Sequence, residues 1–232
     1  MWHPNVAALL FRRTTNSTSS VAAFFPETET EVSLGAGLPY RWLPGSAKLV
    51  VRDNANWALV DMTDPASPVR VELPDGDPST IFDEAASPDG RWLLLGHWQK
   101  NTAWWTALDL QTPHPWAATE VFRTTGAFGT VGVEWAPSSD FVLFTERTTK
   151  PKATRVDLPT YSARPSEFEL GPTPSGFTWA GHFNPADGTL ATPHRGHLAL
   201  LPPADWSEAA PAPLGDTPDW SLPSWRPANV RR

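Results

Sequence analysis

Cysteine is absent from the chain. That excludes a disulfide framework and any thiolate metal site, and it leaves the redox compartment open. No long apolar run is present either. "AALLF", residues 7–11, is five residues long and has no basic segment before it. It is too short for a membrane helix and lacks the flanks of a signal peptide. On this reading the chain is cytoplasmic, or a processed periplasmic or secreted form. Positive charge is in the minority: 18 Lys and Arg against 25 Asp and Glu leave a net charge of -7. Such a balance argues against general nucleic-acid affinity, though a local basic patch remains compatible with it.

Catalytic signatures are also missing. There is no G-x-S-x-G nucleophile elbow and no H-E-x-x-H zinc motif. His194 and His197 in "HRGH" have a spacing that suits metal on a helix, but the stretch reads as a hairpin without a third ligand. "DGD" at Asp75–Asp77 lacks the longer oxygen-rich pattern of a calcium loop. "GAFGTVG", residues 126–132, falls between strands and does not open a helix, so it is not a phosphate loop. No cofactor and no metal are expected. The balance is against an enzyme, although a site assembled from scattered loop residues would leave no motif.

What the chain does have is 26 Pro, 15 Gly and 13 Trp. Proline breaks helices, and both proline and glycine favour turns, so many short strands joined by many turns are expected. The prolines also repeat. "WHPNVAALLF", "WLPGSAKLVV", "ASPDGRWLLL", "WAPSSDFVLF", "FNPADGTLAT" and "WRPANVRR" align on Pro4, Pro44, Pro88, Pro137, Pro185 and Pro227, with spacings of 40, 44, 49, 48 and 42 residues. Two positions before each proline stand Trp2, Trp42, Ala86, Trp135, Phe183 and Trp225. Five positions after it stand Leu9, Leu49, Leu93, Val142 and Leu190. Each full unit reads as a strand into the Pro turn, an apolar strand, a polar hairpin, a third strand ending near an Asp (Asp61, Asp109, Asp157), and a more polar fourth strand. Four short antiparallel strands per 40 to 49 residues is the period of a propeller blade. One blade cannot bury both faces of its sheet, so blades must stack.

The stretch "ASPDGRWLLLGHWQKNTAWWTALDL", residues 86–110, resembles the repeat of WD40-like and TolB-like (PD40-type) β-propellers. In those repeats a Ser-Pro-Asp-Gly turn precedes an apolar strand and an Asp closes the third strand. The resemblance implies an all-β propeller for the whole chain, with units of about 1–36 plus 217–232, 37–78, 79–127, 128–174 and 175–216. The fifth unit departs from it with "HLALLPPAD", and the first with "VAAFFPET". The first unit lacks a strand before its Pro turn, while "DWSLPSW", residues 219–225, is a first strand with little after it. Pairing that strand with residues 6–34 would close a ring of five four-stranded blades, and closure removes exposed edges. The competing arrangement is a piece of a six- to eight-bladed ring. Fold alone names no activity.

Positions that repeat serve packing, and positions that vary are free for function. The strand-end acids read as turn residues that accept nearby backbone N–H groups. "ETETE" reads as an outer strand with Glu27, Glu29 and Glu31 on one side, discouraging edge pairing. Three residues before each proline the identities are Arg41, Ala85, Glu134, His182 and Ser224, four of them polar. With Asp83 and Glu84 on the same inner strand as Ala85, the channel candidates are Arg41, Asp83, Glu84, Glu134 and His182. They form either a solvated polar ring or a ligand site.

The hairpins between second and third strands are taken as residues 12–19, 52–56, 97–103, 146–154 and 193–197. They carry Arg12, Arg13, Arg52, Lys100, Arg147, Lys150, Lys152 and Arg195 against only Asp53 and Glu146. That is +6 locally and -13 elsewhere, so an acidic protein presents one basic face that could orient an anionic partner. The expected function is a non-enzymatic scaffold, a monomeric ring binding an acidic protein or peptide through this face. The alternative is a carbohydrate-binding or carbohydrate-active propeller using exposed Trp, of which Trp116 and Trp206 lie in Pro-rich connections, together with the inner carboxylates.

Overall fold

The computed structural model describes residues 8–15, 18–53, 56–64, 66–73, 81–125, 131–146, 153–165, 182–194, 197–201 and 212–216. These residues form strands, turns and bends with no helix, and hence no helix long and apolar enough to cross a membrane. Five antiparallel sheets follow one another along the chain, each a simple meander. The first has three strands, β1 (Leu9–Thr15), β2 (Thr18–Phe25) and β3 (Thr30–Ala36). The other four have four strands each. The second sheet holds β4 (Leu38–Trp42), β5 (Lys48–Asp53), β6 (Asn56–Asp61) and β7 (Val69–Glu72). The third holds β8 (Ile81–Ala86), β9 (Trp92–Gln99), β10 (Thr102–Asp109) and β11 (Thr119–Thr125). The fourth holds β12 (Val131–Trp135), β13 (Phe141–Glu146), β14 (Ala153–Asp157) and β15 (Ser162–Pro165). The fifth holds β16 (His182–Phe183), β17 (Leu190–His194), β18 (His197–Leu201) and β19 (Ala212–Asp216). Residues 219–225, the expected closing strand, lie outside the described residues.

Backbone contacts divide the chain into two compact units, Met1–His97 with Ala107–Thr119 and Trp98–Thr106 with Glu120–Arg232. In the first unit the second sheet is buried on both faces. Leu49, Val51 and Val60 pack with Leu10, Val21, Ala23 and Leu34 of the first sheet. Their neighbours Val50, Trp57 and Leu59 pack with Ile81, Ala86, Leu93 and Leu95 of the third. Alternate residues of one strand thus serve opposite faces, the period-two rule at work. In the second unit Phe141 and Leu143 pack with Phe183 and Leu190. Phe144, of opposite parity, stacks on Phe122 at 4.5 Å and meets Trp105 at 6.0 Å. The repeated position five after the proline is core in every full unit described: Leu49, Leu93, Val142 and Leu190 are each 0% exposed.

The turns that recur in the sequence are built from their own side chains. In "SPDG" the Gly90 N–H donates to the Ser87 carbonyl, the Asp89 carboxylate accepts from the Ser87 hydroxyl and from Arg91 N–H, and the Ser87 oxygen accepts from Trp92 N–H. Asp61 and Asp109 accept backbone N–H groups of Thr63 and Gln111, as expected of strand-end acids. Asp157 behaves differently: it is held by the side chains of Arg155 and Arg164. Two expectations need correction. Glu27 and Glu29 are not on an outer strand; they sit in the turn 26–29, Glu29 at a φ of 52°, and only Glu31 is on β3, paired with Arg13 at 2.6 Å. Trp116 is not exposed. It is 8% accessible within the first unit's core, because its indole N–H reaches the Thr112 carbonyl and the ring turns inward.

Candidate functional site

The site is built on the first strands of the second and third sheets. Both strands are irregular. On β4 the pairing with β5 slips between Pro39 and Arg41, leaving Tyr40 as an extra residue; on β8 the pairing with β9 slips between Ile81 and Asp83, leaving Phe82 extra. A bulge of this kind bends the strand and re-aims the side chains beyond it. Beyond the bulge on β8, Glu84 shares parity with the buried Ala86 and is itself 3% exposed. Beyond the bulge on β4, Arg41 extends outward with its side chain 48% exposed.

These two residues meet. Arg41 Nε lies 2.5 Å from Glu84 Oε1, and the Glu84 side chain is fully buried. Neither carboxylate oxygen has a hydrogen-bond partner of good geometry among the described residues. Burial of a charge whose oxygens lack hydrogen bonds is expensive. It pushes the Glu84 carboxyl up to about 7, against the opposing field of Arg41 and with a smaller push from Asp83. Asp83 is also raised by burial, although its carboxylate accepts the Glu84 backbone N–H at 2.9 Å. Tyr40, 38% exposed, has its hydroxyl raised by burial and by the negative charge of Asp83 and Glu84. Its ring meets Trp57 edge-on at 5.0 Å, and the Arg52 guanidinium lies 5.3 Å over the same indole. The result is a graded surface: a buried acid, an arginine above it, an aromatic pair, and a second arginine.

This surface continues into the hairpin ends. Gly37, at a φ of 117°, donates its N–H to the Ser19 carbonyl, and a Cβ there would lie 2.7 Å from the Arg52 carbonyl oxygen. Only glycine lets the β1–β2 hairpin approach β5 so closely. Arg12 Nε in turn donates to Ser19 Oγ at 2.9 Å. Arg12, Ser19, Gly37 and Arg52 therefore form one connected junction.

Of the expected channel residues, Arg41, Asp83 and Glu84 come together. Glu134 is half-buried on β12 opposite Leu143, and His182 pairs through its backbone with Ala191; both belong to the second unit. Of the expected hairpin residues, Arg12 and Arg13 lie in the middle of β1 and Arg52 near the end of β5, because β1, β2, β5 and β6 run almost to their turns. Lys100 occupies the β9–β10 turn, exposed, at a φ of 58°. Arg147, Lys150, Lys152 and Arg195 lie outside the described residues. Tyr40 and Trp57 were not anticipated as part of a site. Tyr40 is one of only two tyrosines in the chain, the one signal that could have marked it.

No protein-family model and no curated protein matches the chain. Among solved structures, TolB from Acinetobacter baumannii is 17% identical with a TM-score of 0.48, over 85% of this chain and 50% of that one. A functionally unknown protein from Desulfotomaculum acetoxidans is 11% identical with a TM-score of 0.47, over 94% and 74%. An acylaminoacyl peptidase from Pyrococcus horikoshii is 9% identical with a TM-score of 0.49, over 84% and 33%. The chain thus spans half the length of that TolB and a third of the peptidase.

Proposed function

We propose that residues 1–232 form one β-propeller whose five sheets are its blades, and that it is a non-enzymatic scaffold binding an acidic protein or peptide through the hairpin ends. The observation that supports the binding reading is the junction at Gly37, which links the strands carrying Arg12 and Arg52 next to the half-exposed Leu38 and Tyr40. Basic groups around an aromatic and an aliphatic side chain suit a peptide that brings carboxylates and apolar contacts together. Arg13 contributes less, since Glu31 neutralises it. Among the described indoles, Trp57, Trp92, Trp105 and Trp116 are buried and Trp104 is half-buried beneath Arg123, which does not favour the carbohydrate alternative; Trp206 lies outside the described residues.

The test uses fluorescein-labelled octaglutamate and anisotropy at low and high salt. Binding is expected to weaken by about tenfold or more at high salt, and to be lost on combining Arg12→Glu with Arg52→Glu. Equal affinity at both salts, or an unaffected double variant, overturns the proposal.

A further inference from the structure

We infer that Arg41 is the anchor for one carboxylate of that acidic peptide, and that Glu84 takes up a proton from solvent as the peptide carboxylate engages the guanidinium. The inference rests on the proposed binding function and assigns its central residue. Arg41 has the buried acid behind it: Glu84 Oε1 lies 2.5 Å from Nε as an ion pair, while no hydrogen bond engages the terminal nitrogens among the described residues. Those nitrogens form the fork that matches a carboxylate, and the side chain carrying them is half exposed. Tyr40 stands beside it on the same strand, and Arg52 adds a second positive charge behind the Tyr40–Trp57 pair.

The proton follows from what surrounds Glu84. From β4 it faces Arg41 and Tyr40; on its own strand it has Asp83; Arg52 of β5 acts on Tyr40; and on β9 the titratable group is His97, paired with Ile81 three residues away. Among the described residues Arg41 is thus the cation that holds the buried carboxylate ionised. An incoming carboxylate shares that cation, adds negative charge nearby, and leaves Glu84 Oε2 as unpartnered as before. Glu84 answers by accepting a proton, which removes its competition for Arg41. Asp83, whose carboxylate accepts the Glu84 backbone N–H, adds a negative charge nearby that favours the proton on Glu84. Affinity therefore rises as pH falls through neutrality.

The experiment repeats the octaglutamate titration at constant low salt near pH 6 and near pH 8, where the probe stays ionised, with wild type, Glu84→Gln and Arg41→Lys. Wild type is expected to bind more tightly at the lower pH, by up to about tenfold per pH unit. Glu84→Gln is expected to bind as tightly as low-pH wild type at both values, and Arg41→Lys, which keeps charge but loses the fork, to bind weakly at both. Calorimetry in two buffers of different ionisation heat should show proton uptake in wild type and none in Glu84→Gln. Salt-sensitive binding that ignores pH and Arg41→Lys overturns this inference and leaves the hairpin reading standing. Absence of binding at any salt overturns both.

Discussion

Two arginine–carboxylate pairs in the first unit answer the same electrostatic problem in opposite ways. Arg91 grips Asp109 with two nitrogens, Nε to Oδ1 at 3.1 Å and the terminal nitrogen to Oδ2 at 2.7 Å, and Gln111 N–H adds a third donor. Arg91 also stacks 4.7 Å over Trp92. Both partners keep some water, with side chains 33% and 16% exposed. The Asp109 carboxyl is accordingly held below its usual range, chiefly by the Arg91 hydrogen bonds. Arg41 approaches Glu84 to 2.5 Å, but neither carboxylate oxygen has a hydrogen bond of good geometry among the described residues, and the acid's side chain is fully buried. There burial wins over the ion pair, and the carboxyl rises to about 7. The contrast shows that burial and the hydrogen bonds that offset it decide the direction, since proximity to an arginine is common to both. One pair is a structural clasp; the other is poised to change charge state near neutrality.

The largest effect that would break this comparison is Glu84→Gln. Because the folded value lies above the unfolded one of about 4.5, Glu84 favours the fold fully when protonated, below that value. This contribution is lost as pH rises toward 7 and beyond. Glutamine imitates the protonated form. The variant should match wild type near pH 4 and exceed it by about 3 kcal/mol above pH 7, as read by urea denaturation across the range. A variant less stable than wild type at high pH would mean that the Arg41 pair is a net stabiliser, and the difference between the two pairs would vanish.

Much of this arrangement is legible in the sequence because it follows from the repeat. Aligning the prolines locates the hairpins, the alternation assigns Leu49, Leu93 and Val142 to the core, and the strand-end acids Asp61 and Asp109 fall into turns. The pairing of Arg41 with Glu84 is not legible. Strict alternation from the Pro turn groups Arg41 with Ala85, yet Arg41 stands opposite Val50 and Glu84 opposite Leu95, and Val50 and Leu95 share one core between the second and third sheets. The pair is made by the stacking of two sheets, and alternation within one repeat does not state which side chain of the next sheet lies opposite. Trp116 escaped for a related reason. A Pro-rich connection looks exposed until one backbone carbonyl, that of Thr112, satisfies the indole N–H and lets the ring pack.

The clasp depends on the turn that delivers it, and glycine substitution there tests this at the next level of effect. Gly90 has a φ of 71°, and a Cβ on it would lie 2.3 Å from the Pro44 carbonyl oxygen. Gly90→Ala should cost about 2–3 kcal/mol, from left-handed strain plus a clash with rigid backbone. Gly45, in the facing turn, has a φ of 62° and open space around the same position. Gly45→Ala should cost only the strain, about 1 kcal/mol. Equal losses in thermal denaturation would show that the approach to Pro44 does not hold the turn, and that Arg91 reaches Asp109 without its help.

Asp109→Asn is the smallest change and the most discriminating. Asparagine keeps an acceptor for Gln111 N–H and for one nitrogen of Arg91, but it loses the charge and the second half of the fork. A loss of about 1 kcal/mol is expected at neutral pH, the size of a charge-assisted hydrogen bond in a partly wet site. Its pH dependence has the opposite sign to that of Glu84→Gln. A lowered carboxyl contributes stability above its unfolded value of 3.8, and this contribution disappears as pH falls through the folded one. The gap between Asp109→Asn and wild type should therefore close in acid, where the gap for Glu84→Gln is also absent, and persist above neutrality, where Glu84→Gln lies on the other side of wild type. Two curves diverging in opposite directions from a common acid limit would place both pairs on their assigned roles; parallel curves would mean that Asp109 and Glu84 share one electrostatic environment after all.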